Sequence, residues 1–133
     1  MKFSTFATDI ESEETGKWFE LGDGARIKLR SFQSKRSSDV REALEAPYIA
    51  LKRTGKSIPS EEQETLLIRQ MAQAIVVDWE GFTEDDGETL VPFTAKAAEA
   101  KLSEFREFRN LVARLVTDDD AFKVQTKVEA EKN

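Results

Sequence analysis

The stretch IVVDWEGFTEDDGETLVPFTAKAAEAKL, from Ile75 to Leu102, is the most informative segment of the chain. An apolar segment leads into Asp78-Trp79, an acidic turn with Gly87 follows, and a short apolar run ends at Pro92-Phe93. Threonine is a favoured N-cap residue, so Thr94 predicts the start of a new helix. We therefore interpret the stretch as a hinge between two helical segments, with aromatic side chains beside it.

The predicted helix ahead of this stretch covers residues 60–79. Ser60 and Gln63 have the spacing of a capping box, and two glutamates occupy the first turn, where the helix dipole favours them. The apolar stripe of this helix repeats every four residues and consists of Leu67, Met71, Ile75 and Trp79. Side chains four residues apart share one helix face, so this is the strongest helix pattern in the chain.

Residues 17–32 predict a β-hairpin. Lys17–Leu21 forms the first strand, residues 22–24 the turn, and residues 25–32 the second strand. An Asp-Gly pair between two alternating runs is a good hairpin signal. A lone hairpin is marginal in water, so we expect its apolar face to lie on the helices or on another strand.

The rest of the chain divides into further helices and two polar ends. Three more helices are predicted, at about 38–53, 95–116 and 118–128. Pro47 is expected to kink or break the first of them. We expect the acidic residues 1–16 to form a flexible arm and residues 129–133 a frayed tail. Residues 17–128 then form one α+β domain, mainly helical with one N-terminal β-hairpin.

The composition argues against catalysis. Of 133 residues, 39% are hydrophobic and 35% charged, which is typical of a soluble domain rich in helix. The chain has no cysteine and no histidine, so it lacks thiolate and imidazole metal ligands and the usual acid–base group near neutral pH. We therefore expect no enzyme activity, no cofactor and no metal site.

Two acidic runs are the only candidates for metal chemistry. The run 84–88 lacks the alternating oxygen ligands and the distal glutamate of an EF-hand loop, so we interpret it as a solvated turn. Residues 118–120 are interpreted as acids at a helix N-terminus. A metal enzyme that uses these carboxylates stays an alternative, although no spacing supports it.

Charge is distributed unevenly along a chain whose net charge is −6. Residues 17–56 have ten basic and five acidic residues, and within them Arg26, Lys28 and Arg30 share one face of the second hairpin strand. The default interpretation of this face is a solvent-facing strand surface, and its three basic residues are candidate contacts for an acidic protein partner. Nucleic acid is disfavoured, because the net charge is negative and no nucleic-acid-binding motif is present. No segment resembles a membrane span or a signal peptide, so we expect no membrane contact and a cytoplasmic protein.

The aromatic residues of the stretch from Ile75 to Leu102 and of the helix after it are the candidate binding groups. We expect them to build or border a surface for a protein partner, and they are Trp79, Phe82, Phe93, Phe105 and Phe108. Trp79 continues the apolar stripe and is expected in the core, whereas Phe82 lies in a polar loop. Trp18 and Phe19 point to opposite faces of one strand, so one of them is a candidate contact in a complex.

The pattern resembles the tail assembly chaperones of long-tailed, siphovirus-like bacteriophages. The resemblance is best from Ala74 to Phe122, through Asp78-Trp79, Gly81, Gly87 and Pro92-Phe93-Thr94. It extends more loosely into the hairpin, where such proteins have a tryptophan strand, a glycine turn and a basic-apolar strand. None of these motifs is a catalytic signature.

The resemblance implies a role in assembly. Such chaperones bind the tape measure protein in the host cytoplasm, keep it soluble, and help the major tail tube protein polymerise around it. They are absent from the mature virion. Many of their genes also yield a longer product by programmed frameshifting, and Glu131-Lys132-Asn133 is compatible with an adenine-rich slippery codon run. Self-association is expected at the hairpin edge.

One further alternative stays open beside the chaperone. A small neck or tail completion subunit, or another phage protein-interaction module, would have a similar composition but would be retained in the virion. The presence or absence of the protein in purified particles separates these two classes.

Overall fold

The computed structural model describes residues 1–118 and 121–123 and shows an α+β domain that is mainly helical. The helices are α1 (Ile10–Thr15), α2 (Lys35–Glu45), α3 (Ile49–Arg53), α4 (Ser60–Gln70), α5 (Ala95–Glu104) and α6 (Arg106–Thr117). The strands are β1 (Lys17–Gly22), β2 (Ala25–Leu29) and β3 (Val76–Glu80). Short 3₁₀ turns cover Phe3–Phe6 and Ala46–Tyr48, and a π-helical turn, Met71–Ile75, continues α4.

The three strands form an antiparallel sheet in the order β1-β2-β3, with β2 in the centre. Ile27 of β2 lies opposite Trp79 of β3, and Lys28 lies opposite Asp78. The next pair is Leu29 and Val76, so the register shifts and β3 bulges at this point. The hairpin predicted over 17–32 is therefore present, but it ends at Leu29 and gains a third strand.

The helix predicted over 60–79 is too long, because its last four residues, 76–79, belong to β3. Ile75, Val76 and Val77 are β-branched, and such side chains favour strands over helices. The four-residue spacing of the apolar stripe did not reveal this change from helix to strand. Four is an even number, so Ile75 and Trp79 share a face in a strand as well as in a helix. The expected hinge between two helices is instead a strand followed by a loop.

One apolar core lies between the sheet and the helices. Its buried members come from β2, from α4 with its π-helical turn, from β3, from α5 and α6, and from the segment after α6, and they include Ile27, Leu29, Ile68, Met71, Ile75, Trp79, Leu102, Val112 and Phe122. Leu67, the first residue of the predicted stripe, is 43% exposed and lies outside this core. The true apolar face of α4 therefore runs through Ile68 and Met71.

The N-terminal segment is folded against the domain from Thr8 onward, in contrast to the flexible arm predicted over 1–16. Asp9 caps α1 by accepting a hydrogen bond from the Ser12 N–H at 3.1 Å. The Asp9 N–H donates to the Phe122 carbonyl at 2.6 Å, and the Ser31 N–H donates to the Glu13 carbonyl. The acidic composition suggested disorder. The sequence did not reveal the hydrogen bonds that hold this segment, because their partners lie far away along the chain.

Two more helix boundaries differ from the prediction. The helix predicted over 38–53 begins at Lys35, because Ser34 is the cap and accepts from the Ser37 N–H, and the turn around Pro47 separates α2 from α3. The helix predicted over 95–116 is interrupted at Phe105, which has φ −111° and ψ 92°. Arg109 donates to the Leu102 carbonyl that this break leaves open, at 3.1 Å.

The C-terminal prediction is only partly inside the described chain. Of the helix predicted over 118–128, Asp118 and residues 121–123 are described, and none of them is helical. The frayed tail predicted over 129–133 lies outside the described residues. Thr94 caps α5 as its sequence predicts, accepting from the Ala97 N–H at 2.9 Å. In the part of the chain that the structure describes, no helix is long and apolar enough to cross a membrane.

Gly81, directly after β3, lies very close to the backbone of the hairpin turn, and a substitution at this position tests that close approach. Its φ is +80°, and a Cβ at this position would lie 2.1 Å from the carbonyl oxygen of Gly24. We predict that Gly81→Ala lowers the free energy of unfolding by about 3 kcal/mol or more, from strain plus a backbone clash. Gly87→Ala is the matched control, with φ +72° and no atom within 4 Å, and should cost about 1 kcal/mol. Urea denaturation measures both, and equal losses would contradict the prediction.

Candidate functional site

An aromatic pocket of about 180 Å³ opens between β3, the loop after it, and the start of α6. We define the aromatic pocket by its apolar lining, which consists of Trp79, Phe82, Val91, Phe105 and Phe108. Thr83, Glu84, Asp85 and Lys101 complete the lining and supply its polar groups. The site is therefore an apolar depression with charges of both signs beside it.

Trp79 is the buried residue that contacts the other aromatic side chains around the pocket. Its side chain is buried, and its indole N–H donates to the Val91 carbonyl at 2.8 Å. Its ring lies 5.5 Å from that of Phe82, 5.2 Å from Phe93 and 6.3 Å from Phe108. The contacts with Phe93 and Phe108 are edge-to-face, and such contacts add about 0.5–1.5 kcal/mol each beyond area burial. One side chain thus fixes β3, the loop and α6 relative to one another.

Phe105 is the exposed aromatic group of the pocket. It is 47% exposed and sits at the break between α5 and α6. The ammonium group of Lys101 lies 5.6 Å from its ring centroid and 3.8 Å from the Glu84 carboxylate. A flexible ion pair at the surface contributes little to stability, so a partner can displace it at low cost.

The predicted aromatic residues come together in the structure. Trp79, Phe82, Phe93 and Phe108 form one cluster of ring contacts, and Phe105 lines the same pocket. Phe93 contacts Trp79 but does not line the pocket. That these residues bind a partner stays a prediction.

The predicted basic face is not an open positive surface. Arg26 donates to the Glu80 carboxylate at 2.7 Å and stacks over the Trp18 ring at 4.0 Å. Lys28 lies opposite Asp78 in the register, and Glu20 lies opposite Arg26 on the other side. Sequence alternation found the shared face but did not reveal that acids of β1 and β3 flank it.

Arg30 makes hydrogen bonds within the fold, and that it also contacts a partner stays a prediction. Its guanidinium donates to the Glu14 carbonyl at 2.6 Å and to the Ala74 carbonyl at 2.7 Å. Burial of the group, with Arg36 nearby, lowers the pKa of Arg30. The side chain therefore connects α1 to the end of the π-helical turn, which explains why the N-terminal segment folds back.

In the acidic turn, the carboxylate of Asp86 accepts hydrogen bonds from other groups of the same turn. The Thr89 hydroxyl and the backbone N–H groups of Glu88 and Thr89 donate to Asp86, and they lower its pKa. Three carboxylates do not come together as possible metal ligands anywhere in residues 1–118 and 121–123. The turn also positions the pocket, because the Val91 N–H donates to the Phe82 carbonyl at 2.9 Å.

A second concave surface was not found from the sequence. A groove of about 850 Å³ lies between α4 on one side and α2, α3 and the following loop on the other. Leu67, which the periodicity placed in the core, is half-exposed in its lining. The exposure of Leu67 shows that packing of α2 against α4 leaves one side of α4 uncovered.

The fold and these surfaces define a small α+β protein with an aromatic pocket and a wider helical groove. The family model described as "YdaY prophage protein" matches residues 32–133, most of the chain. The chain belongs to this family, and it is a phage-derived protein. No curated protein and no solved structure matches the chain. The matched residues include the pocket and the groove, whereas β1 and β2 both precede them.

Arg26 and Glu80 give a direct test of the charge pairing on the outer face of the sheet. The hydrogen bond from Arg26 holds the pKa of Glu80 below its ordinary value of 4.5. We predict that Arg26→Met raises this pKa toward 4.5, whereas Lys28→Met leaves it low. Carboxyl-carbon NMR titration measures both variants, and a wild-type Glu80 that titrates at its ordinary value would contradict the pairing.

The pH dependence of stability has a defined sign. Because the pKa of Glu80 is lower in the folded state, its stabilising contribution is present above pH 4.5 and is lost as the pH falls through the folded-state pKa. The Arg26→Met variant should therefore differ more from wild type in free energy of unfolding at pH 7 than below the folded-state pKa of Glu80.

Proposed function

We propose that this phage-derived protein is a tail assembly chaperone that binds the tape measure protein and keeps it soluble. In this proposal the major tail tube protein polymerises around the protected tape measure protein, and the chaperone is left out of the finished virion. In this proposal two copies of the chaperone pair through the hairpin edge, which is the edge strand β1 of the sheet.

Two independent lines support this proposal. Membership of a prophage protein family makes a phage role the natural one. The resemblance to tail assembly chaperones rests on residues 74–122, which fall inside the matched range and contain the whole apolar lining of the pocket.

The half-exposed ring of Phe105 at the aromatic pocket is the observation that carries the proposal. A tape measure protein is expected to expose long apolar helical stripes, which aggregate unless they are covered. A pocket of about 180 Å³ has room for one leucine, methionine or phenylalanine side chain of such a stripe. Burial of that side chain contributes about 1.5–3 kcal/mol, enough for a weak contact that repeats along a long partner.

The charges beside the pocket fit a reversible contact. Glu84 and Lys101 lie on its lining and pair with each other in the free protein at 3.8 Å. Because polar rims orient a partner and exclude water from an apolar centre, these two side chains would set the direction of the bound helix. Weak, oriented binding suits a chaperone that must leave when the tube forms.

Co-expression with the tape measure protein of the same genome tests the function. We expect a tape measure protein that is insoluble alone to become soluble with the chaperone and to co-elute with it on a sizing column. Purified virions should contain tape measure protein but no chaperone. An insoluble, unbound tape measure protein, or a stoichiometric amount of this chain in virions, would make the neck or completion subunit the better assignment.

Phe105→Ala tests the pocket within the same experiment. The ring is half-exposed, so the variant should fold with a loss of less than about 1 kcal/mol, yet bind the tape measure protein about tenfold more weakly. Phe3→Ala is the matched control, because Phe3 is 92% exposed and does not line the pocket. Equal binding by both variants would remove the pocket from the interface.

A further inference from the structure

The groove beside α4 has an apolar floor and an excess of positive charge. We call it the α2–α4 groove, and its floor consists of Leu44, Ile58, Leu66 and Leu67. The lining contains four cations, Arg41, Lys52, Lys56 and Arg109. It contains only two acids, Glu45 and Glu64, in a chain whose net charge is −6.

Both acidic side chains of the groove form ion pairs with cations of the same groove. Lys52 pairs with Glu45 at 2.9 Å, and Arg109 pairs with Glu64 at 2.9 Å. Arg41 and Lys56 are exposed and form no ion pair among the described residues. The positive charge that faces an occupant of the groove therefore comes from these two side chains.

The dimensions of the groove fit a helix. The flanking helices α2 and α4 each have 11 residues, which corresponds to about 16 Å, or three turns. Three turns present apolar side chains at positions i, i+3 or i+4, and i+7 to an apolar floor. A small-molecule site is disfavoured, because no buried side-chain nitrogen or oxygen of the described residues lacks a hydrogen-bond partner. The polar groups still available in the groove are exposed ones, which hold a small ligand less firmly.

We infer that the α2–α4 groove binds an amphipathic helix of a protein partner whose polar flanks are acidic. Leucine-type side chains of that helix would cover the floor, and its carboxylates would face Arg41 and Lys56. A nucleic acid is the poorer match, because the floor is aliphatic and offers no aromatic ring for base stacking. The inference does not depend on the chaperone function proposed above.

Two designed peptides test this inference. Each is an alanine-rich helix of about 16 residues with the same leucine stripe, flanked by glutamate in one and by lysine in the other. We expect the fluorescently labelled glutamate peptide to bind the full chain about tenfold more tightly at low salt, and this preference to shrink as the salt concentration rises. Fluorescence anisotropy measures both affinities.

Charge reversal in the groove provides the matched variants. Arg41→Glu combined with Lys56→Glu should reverse the preference in favour of the lysine peptide. Lys96→Glu combined with Arg114→Glu changes the net charge equally, at exposed positions outside the groove, and should keep the wild-type preference. Leu67→Ala should weaken binding of both peptides about fivefold, because it removes part of the floor.

Three results would overturn the inference. The first is no binding of either peptide to a folded wild-type chain, and the second is an equal response of the two charge-reversed variants. The third is binding of a single-stranded oligonucleotide that is tighter than binding of either peptide and that the same Arg41 and Lys56 substitutions abolish. Circular dichroism of each variant shows that it is folded before affinities are compared.

Discussion

Burial of Trp79 is the constraint on which the remaining structure depends. The residue belongs to β3, yet its indole N–H is satisfied only by the Val91 carbonyl, twelve residues later. A buried indole without that acceptor would lose its hydration without replacement, so the loop must close over it. Closure brings Phe82 and Phe93 onto the ring and places Phe108 of α6 beside them. The aromatic pocket is thus a consequence of how one tryptophan is buried.

Hydrogen bonds of polar side chains hold segments that contribute no large apolar residue to the core. Arg30 extends from the end of the hairpin to two backbone carbonyls, at Glu14 and Ala74, and so joins α1 to the π-helical turn. The Lys35 N–H donates to the Glu14 carboxylate at 2.9 Å, which extends the same connection to the start of α2. Charge-assisted hydrogen bonds of this type are stronger than neutral ones. They explain how an acidic segment without a large apolar residue in the core is held in place.

The sequence predicted the class of fold and the aromatic residues but not the end of α4. Fold class follows from local patterns: a hairpin signal around Asp23 and helical periodicity in α4 and α6. Trp79, Phe82 and Phe93 of the aromatic cluster were predictable because they flank one loop, whereas Phe108 was predicted from the apolar stripe of the helix that became α6. The switch from helix to strand at Val76 was hidden, since an even spacing satisfies both periods. Pairing of Arg26 with Glu80, and folding of α1, depend on contacts between distant residues that no local pattern encodes.

The aromatic pocket and the α2–α4 groove share α6 and are therefore fixed relative to each other. Phe108 lines the pocket, and its neighbour Arg109 lines the groove and pairs with Glu64 of α4. Val112 and Val116 of the same helix are buried in the core, so α6 is not free to rotate independently. A partner long enough to occupy both surfaces would gain affinity from effective concentration without any new contact. If both proposed binding surfaces are used, a long helical partner would be favoured over a short peptide, because each surface alone offers only a modest apolar area.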